Sequence, residues 1–223
     1  MRKAALLLIL SVSSLLIVPN LLSQLTGNRQ LIVPLAGPSG STDYPWIMFH
    51  YDSTRDGVTQ ASGPPAAPTS AMWTYPTGNI VYASPVVSDG YVFIPSYDGT
   101  LYAIDEYSGN LLWSFFTGGN IIGTPAVANG TVYVSSKNGY VYALNEQNGS
   151  VNWRIANDNL TPVTSSPVLA DGKLFWGTFL SPSAGYAEVV AVNPQTGGVI
   201  WRNTGISDYV EGSLAVSNGR VFL

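Results

Sequence analysis

Residues 97–113 read YDGTLYAIDEYSGNLLW, and residues 137–153 read KNGYVYALNEQNGSVNW. A looser third copy, EVVAVNPQTGGVIW, spans residues 188–201. The tryptophans that anchor these phrases stand at 73, 113, 153 and 201, so they are spaced by 40, 40 and 48 residues. A repeat of about 40 residues whose contents look like strands points to an array of small sheets, each too apolar on both faces to stand alone.

The punctuation inside one unit gives the strand count. ASPVV runs into Asp89-Gly90, YVFIPS into Asp98-Gly99, TLYAID into Ser108-Gly109, and NLLWSFF into Thr117-Gly118-Gly119. Each run is short and rich in β-branched or aromatic residues, and each break carries a glycine suited to a tight turn. The second unit repeats the plan with Asn129-Gly130, Asn138-Gly139 and Asn148-Gly149. The expected fold is all-β: a β-propeller of four-stranded antiparallel blades, incomplete, following an N-terminal apolar helix. Blades are expected at approximately 80–118, 120–158 and 160–204, with a partial one over 208–223, all within a repeat region of 73–223. The strand around Trp73 and the closing RVFL look unpartnered, so the chain reads as the N-terminal portion of a longer protein.

Composition limits the function. Of 223 residues only 10% are charged, the net charge is −4, and no cluster of Lys or Arg occurs. A phosphate backbone requires converging cations, so no nucleic-acid partner is expected. Cysteine is absent, which removes disulfides, thiolate metal sites and cysteine nucleophiles. His50 is the single histidine, so a histidine metal cluster or a Ser-His-Asp triad has at most one isolated member.

The N-terminus speaks to compartment. Arg2 and Lys3 precede AALLLILSVSSLLIV, so residues 1–25 read as a signal peptide or an uncleaved membrane anchor. Residues 26–72 read as a linker and lead-in segment. Either reading exports the rest of the chain, secreted or membrane-anchored, and the second adds a membrane contact through the N-terminal segment. Sequons at Asn129, Asn148 and Asn159 agree with export, although Asn-Gly is also ordinary turn chemistry.

Around each tryptophan lies an eleven-residue pattern: Ala103, Asp105, Ser108, Gly109 and Trp113; then Ala143, Asn145, Asn148, Gly149 and Trp153; then Ala191, Asn193, Thr196, Gly197 and Trp201. The pattern resembles the tryptophan-docking motif of pyrroloquinoline-quinone-type (PQQ-like) propeller repeats. The Ser-Pro phrases at Ser84-Pro85 and Ser166-Pro167, and the lead-in WIMFHYDSTRDGVTQASGPP at residues 46–65, are similar to the same family. The resemblance implies that each tryptophan docks between blades against the Ala and Gly backbone of a neighbouring motif. It also implies that the Asp or Asn caps its own turn.

The same resemblance raises an enzyme: a PQQ-dependent dehydrogenase holding the quinone beside calcium on the propeller axis. Many such enzymes carry an adjacent cysteine pair, which this chain lacks, and Asp89, Asp98, Asp105, Asp158 and Asp171 sit in turns. DSTRDG at residues 52–57 lacks the alternate-residue ligands and terminal Glu of a calcium loop. The expectation is therefore no catalytic residue, no metal site and no cofactor. The chain reads as an exported cell-surface or envelope module that binds or scaffolds a protein or glycan of the cell envelope. The N-terminal part of a quinoprotein is the alternative, and only there would PQQ and calcium enter.

One unit departs from the rest. From Trp153 to Ser166 is 13 positions against 11 from Trp113 to Thr124, and from Gly172 to Glu188 is 16 against 10 from Gly130 to Tyr140. Both extensions emerge on one face of an antiparallel blade, where Phe179, Leu180 and Tyr186 form a candidate partner-binding loop, since surface loops carry binding more often than strands do. Loop lengthening is cheap, so a neutral insertion also fits.

Overall fold

The structure is a computed structural model that describes residues 10–11, 14–15, 29–34, 71–181 and 185–223, with side chains for the last two stretches. Three four-stranded antiparallel sheets follow one another, each with its strands in sequence order. The first blade comprises Val86–Ser88, Tyr91–Pro95, Thr100–Asp105 and Leu111–Phe116. The second comprises Ala126–Ala128, Thr131–Ser135, Tyr140–Asn145 and Val151–Ala156. The third comprises Val168–Ala170, Lys173–Gly177, Ala187–Val192 and Val199–Ile206. A further hairpin, Ala215–Ser217 with Arg220–Phe222, begins another unit. Three full blades with partial ones beside them are what the repeat spacing predicts.

The hairpins form where the sequence places Asx-Gly pairs. Asp89-Gly90, Asn129-Gly130, Asp171-Gly172 and Asn218-Gly219 all have positive φ at both residues, the type I′ geometry whose twist suits a two-residue hairpin. Within each blade the strands alternate which neighbour they face. In Thr131–Ser135, Val132 and Val134 join Phe93, Leu101 and Trp113 in the core toward the first blade, whereas Tyr133 joins Leu174, Trp176 and Val190 toward the third. A period of two thus gives each sheet two buried faces, and the core is a series of seams between sheets. The fourth strands are the exposed edge of each blade: Leu111, Leu112, Val151, Val199 and Ile200 all face solvent.

One expectation is corrected. The strand Ala71–Thr77 is not alone: Arg29–Pro34 pairs with it antiparallel, setting Val33 opposite Trp73 and Leu31 opposite Tyr75. RQLIVP carries no Asx-Gly punctuation and falls outside the 40-residue phase, so the repeat pattern could not reveal it. The apolar helix expected at the N-terminus falls largely on residues outside those described, where only a short ladder, Leu10–Ser11 with Ser14–Leu15, is defined. Among the described residues no helix is long and apolar enough to cross a membrane. His50 and the DSTRDG stretch also lie outside the described residues.

Candidate functional site

Each blade has two ends of different character. The end with the first-to-second and third-to-fourth strand turns repeats one construction three times. The indole N–H of Trp73 donates to the Glu106 carbonyl at 2.8 Å, that of Trp113 to the Glu146 carbonyl at 2.9 Å, and that of Trp153 to the Pro194 carbonyl at 2.9 Å. In each case the ring lies on the glycine of the same turn in the next blade. A Cβ on Gly109 would stand 2.6 Å from Trp73, one on Gly149 would stand 2.5 Å from Trp113, and one on Gly197 would stand 2.9 Å from Trp153. Only glycine leaves room for the ring, and its positive φ suits the turn. Asp105, Asn145 and Asn193 each accept backbone N–H groups two and three residues ahead. Those bonds, the backbone one from Ser108 foremost, hold the Asp105 carboxyl below its ordinary pKa. Ala103, Ala143 and Ala191 are fully buried opposite Trp113, Trp153 and Trp201 in their own sheets. Trp201 is 36% exposed and packs on Phe175.

The opposite end carries the second-to-third strand turns and the links between blades, and its chemistry changes from unit to unit. In the first blade the Asp98 carboxylate accepts N–H groups from Thr100 and from Gly78 in the preceding link, and the Tyr102 hydroxyl as well. In the second blade Asn138 replaces it, donating to the Thr117 carbonyl of the preceding link and to the Tyr142 hydroxyl. In the third blade the lengthened loop has no Asx in that place. Instead Glu188, which occupies the register of Thr100 and Tyr140, accepts the N–H of Asp158 at 3.3 Å. Its 3%-exposed carboxylate takes both oxygens to Arg202 Nη1, at 3.0 and 2.9 Å. Arg202 also reaches the Ala156 carbonyl and stands 3.7 Å from Asp158. A buried carboxylate needs such a partner, and the pair ties the third blade to the link before it.

The two extensions of the third unit meet here. The link forms a 3₁₀ turn, Asp158–Leu160, in which Asn159 and Leu160 take positive φ, and Leu160 lies against Gly139 of the second blade. Asn157 anchors the turn, accepting the Trp176 indole N–H at 2.9 Å and donating to the Thr161 carbonyl. The loop after Gly177 closes on itself through Ser181 and Tyr186 and is bridged to the link by Val163 and Thr178. Between them lies a shallow, narrow, solvent-open crevice lined by Asp158, Asn159, Thr161, Thr178, Ser181, Tyr186 and Glu188. Phe179, Leu180 and Tyr186 are half-buried rather than fully exposed. Phe179 packs on Tyr209 of the following unit with ring centroids 4.7 Å apart, and Tyr209 itself is 54% exposed. Sequence reading missed Glu188, Arg202 and Tyr209. The available signal was that Glu188 is an acid where the other units carry Thr100 and Tyr140.

Among the described residues no three His, Cys, Asp or Glu side chains gather closely enough to hold a metal ion.

This architecture is shared by proteins of different function. The chain is similar to BamB from Moraxella catarrhalis, with 18% identity and a TM-score of 0.56 over 69% of this chain and 46% of that one. It is similar to quinohemoprotein alcohol dehydrogenase from Comamonas testosteroni, with 20% identity and a TM-score of 0.60 over 74% of this chain and 28% of that one. It is similar also to quinohemoprotein alcohol dehydrogenase ADHIIG from Pseudomonas putida HK5, with 20% identity and a TM-score of 0.59 over 72% and 26%. The chain spans less than half the length of each of these structures, and at such identities they report on fold and not on activity. No curated protein matches the chain. A family model described as outer membrane protein assembly factor BamB matches residues 59–223, and with three blades carrying its tryptophan seams in phase the chain belongs to this family of PQQ-like β-propeller repeats.

Proposed function

We propose that the protein is an extracytoplasmic, non-catalytic propeller that binds a protein of the cell envelope through the loop end of its third blade. The observation that carries this reading is the convergence of two extensions, the 158–160 turn and the 178–186 loop, on one recess. Both leave the neighbouring sheets unaltered, so the added residues are not needed to close the core. The recess offers Tyr186 beside the carboxylates of Asp158 and Glu188, with Phe179 and exposed Tyr209 adjoining it. Aromatic side chains beside satisfied polar groups are the usual content of a protein-binding patch. The family description supports an envelope location and a protein partner, and the basic-then-apolar N-terminal sequence supports export. The tryptophan seams at the opposite end serve as fasteners between blades.

A photo-reactive amino acid placed at Tyr186, compared with one at Tyr107 on the opposite end, tests the assignment in the native host. Tyr107 is 63% exposed and so is at least as accessible. One discrete cross-linked protein from position 186 and none from 107 is the expected outcome. Equal patterns from the two positions would overturn it.

A further inference from the structure

The three tryptophan seams differ in one residue, the one whose carbonyl receives the indole. It is Glu106 in the first, Glu146 in the second and Pro194 in the third. Glu106 is half-buried, but Glu146 is 3% exposed as a residue, and its Oε1 has no hydrogen-bond partner among the described residues. A buried carboxylate oxygen without a donor is costly while the group is charged, and native structures rarely keep one without a reason. Across the seam Glu146 meets the tip of the first blade's first hairpin. There Ser88 offers a hydroxyl that favours the ionised form, and Asp89 brings a like charge that opposes it. Among the described residues, burial, Ser88 and Asp89 are what act on the group.

The backbone of the same residue holds the seam together. Its carbonyl accepts the Trp113 indole N–H, its N–H donates to the Gly130 carbonyl at 2.9 Å, and Gly149 of the same turn lies under the Trp113 ring. We infer that Glu146 is a proton-operated latch on the seam between the first and second blades. With a proton taken from solvent, the neutral acid rests between the blades and the turn stays seated on Trp113. When the proton leaves, the carboxylate is drawn toward water and the turn lifts with it, loosening the indole bond. Burial, and after it the charge of Asp89, raise the pKa of the group above its ordinary 4.5. A raised folded value means that the stabilisation is complete below the unfolded pKa and is lost as pH rises through the folded one. The latch is therefore closed in acid and looser toward neutrality.

The third seam is an internal control, because Pro194 has no ionisable group. Hydrogen exchange of the Trp113 and Trp153 indole N–H groups in the full chain, followed by NMR from about pH 5 to about pH 8, separates the two. Exchange at Trp113 should accelerate several-fold more than at Trp153, and at most about tenfold per pH unit. Glu146→Gln should remove the excess, and Glu146→Ala, which also removes the charge, should do the same. Parallel pH profiles for the two indoles in the parent, or an excess that persists in both variants, would overturn the latch.

Discussion

The two ends of the blades obey different rules. At one end Trp73, Trp113 and Trp153 make the same bond to the same turn, with the same glycine beneath the ring. At the other end each unit solves one problem, gripping the link that precedes it, with a different side chain: Asp98, Asn138 and then Glu188 with Arg202. The first end is constrained because stacking sheets demands one fastening at every seam. The second needs only some polar group of suitable reach, so its residues and loop lengths are free to vary. That freedom is where a binding surface can be built without disturbing the core.

The largest effects should come from the repeated end. Trp113→Ala should cost about 3–5 kcal/mol, the range for deleting a large buried aromatic, measured by chemical denaturation. Gly149→Ala should cost at least about 2 kcal/mol, because the new methyl meets the Trp113 ring and the backbone has positive φ. Gly130→Ala shares the positive φ but meets nothing within 4 Å, and should cost only about 1 kcal/mol. If the two glycine variants were equally stable, ring contact would not be what the motif requires.

At the variable end, Arg202→Ala leaves Glu188 buried without its cation. A loss of about 2–4 kcal/mol is expected, less than the full range for a buried pair because Arg202 is partly exposed. The Asp98 grip differs from the Asn138 one in its response to acid. Burial works to raise the Asp98 carboxyl, but hydrogen bonds from the Tyr102 hydroxyl and the Thr100 N–H outweigh it and hold the pKa below 3.8. With the folded value depressed, the stabilisation is present above the unfolded pKa and is lost as pH falls through the folded one. Melting curves between about pH 5 and about pH 2 should therefore show a larger loss of stability toward acid in the parent than in Asp98→Asn. The smallest effect is expected from replacing residues 180–186 with a two-residue Asn-Gly turn, within about 1 kcal/mol of the parent, since lengthening or shortening a surface loop costs little.

The sequence made the repeated end legible because its chemistry is local. Asp105, Ser108, Gly109 and Trp113 lie within nine residues, and each demands its place through turn geometry or ring size. The position of the third-unit extensions followed from counting between such landmarks. The strand Arg29–Pro34 did not, because its partner lies about forty residues away and pairing across that distance leaves no periodic trace. Glu188 and Arg202 were equally silent. An acid and a base fourteen residues apart become a pair only once the strand register is known. Phe179 was read as a free contact residue, whereas Tyr209 covers part of it, which only the fold of the following unit reveals.

The central claim is that binding resides in the lengthened loop of the third blade, which adds little to stability, whereas the tryptophan seams at the opposite end fasten the blades to one another. Its most direct test measures both for one variant: the chain with residues 180–186 replaced by Asn-Gly, assayed for thermal midpoint and for affinity toward the protein captured at position 186. The account predicts a midpoint near that of the parent together with loss of binding by at least about tenfold. Retained affinity with the loop removed would contradict it.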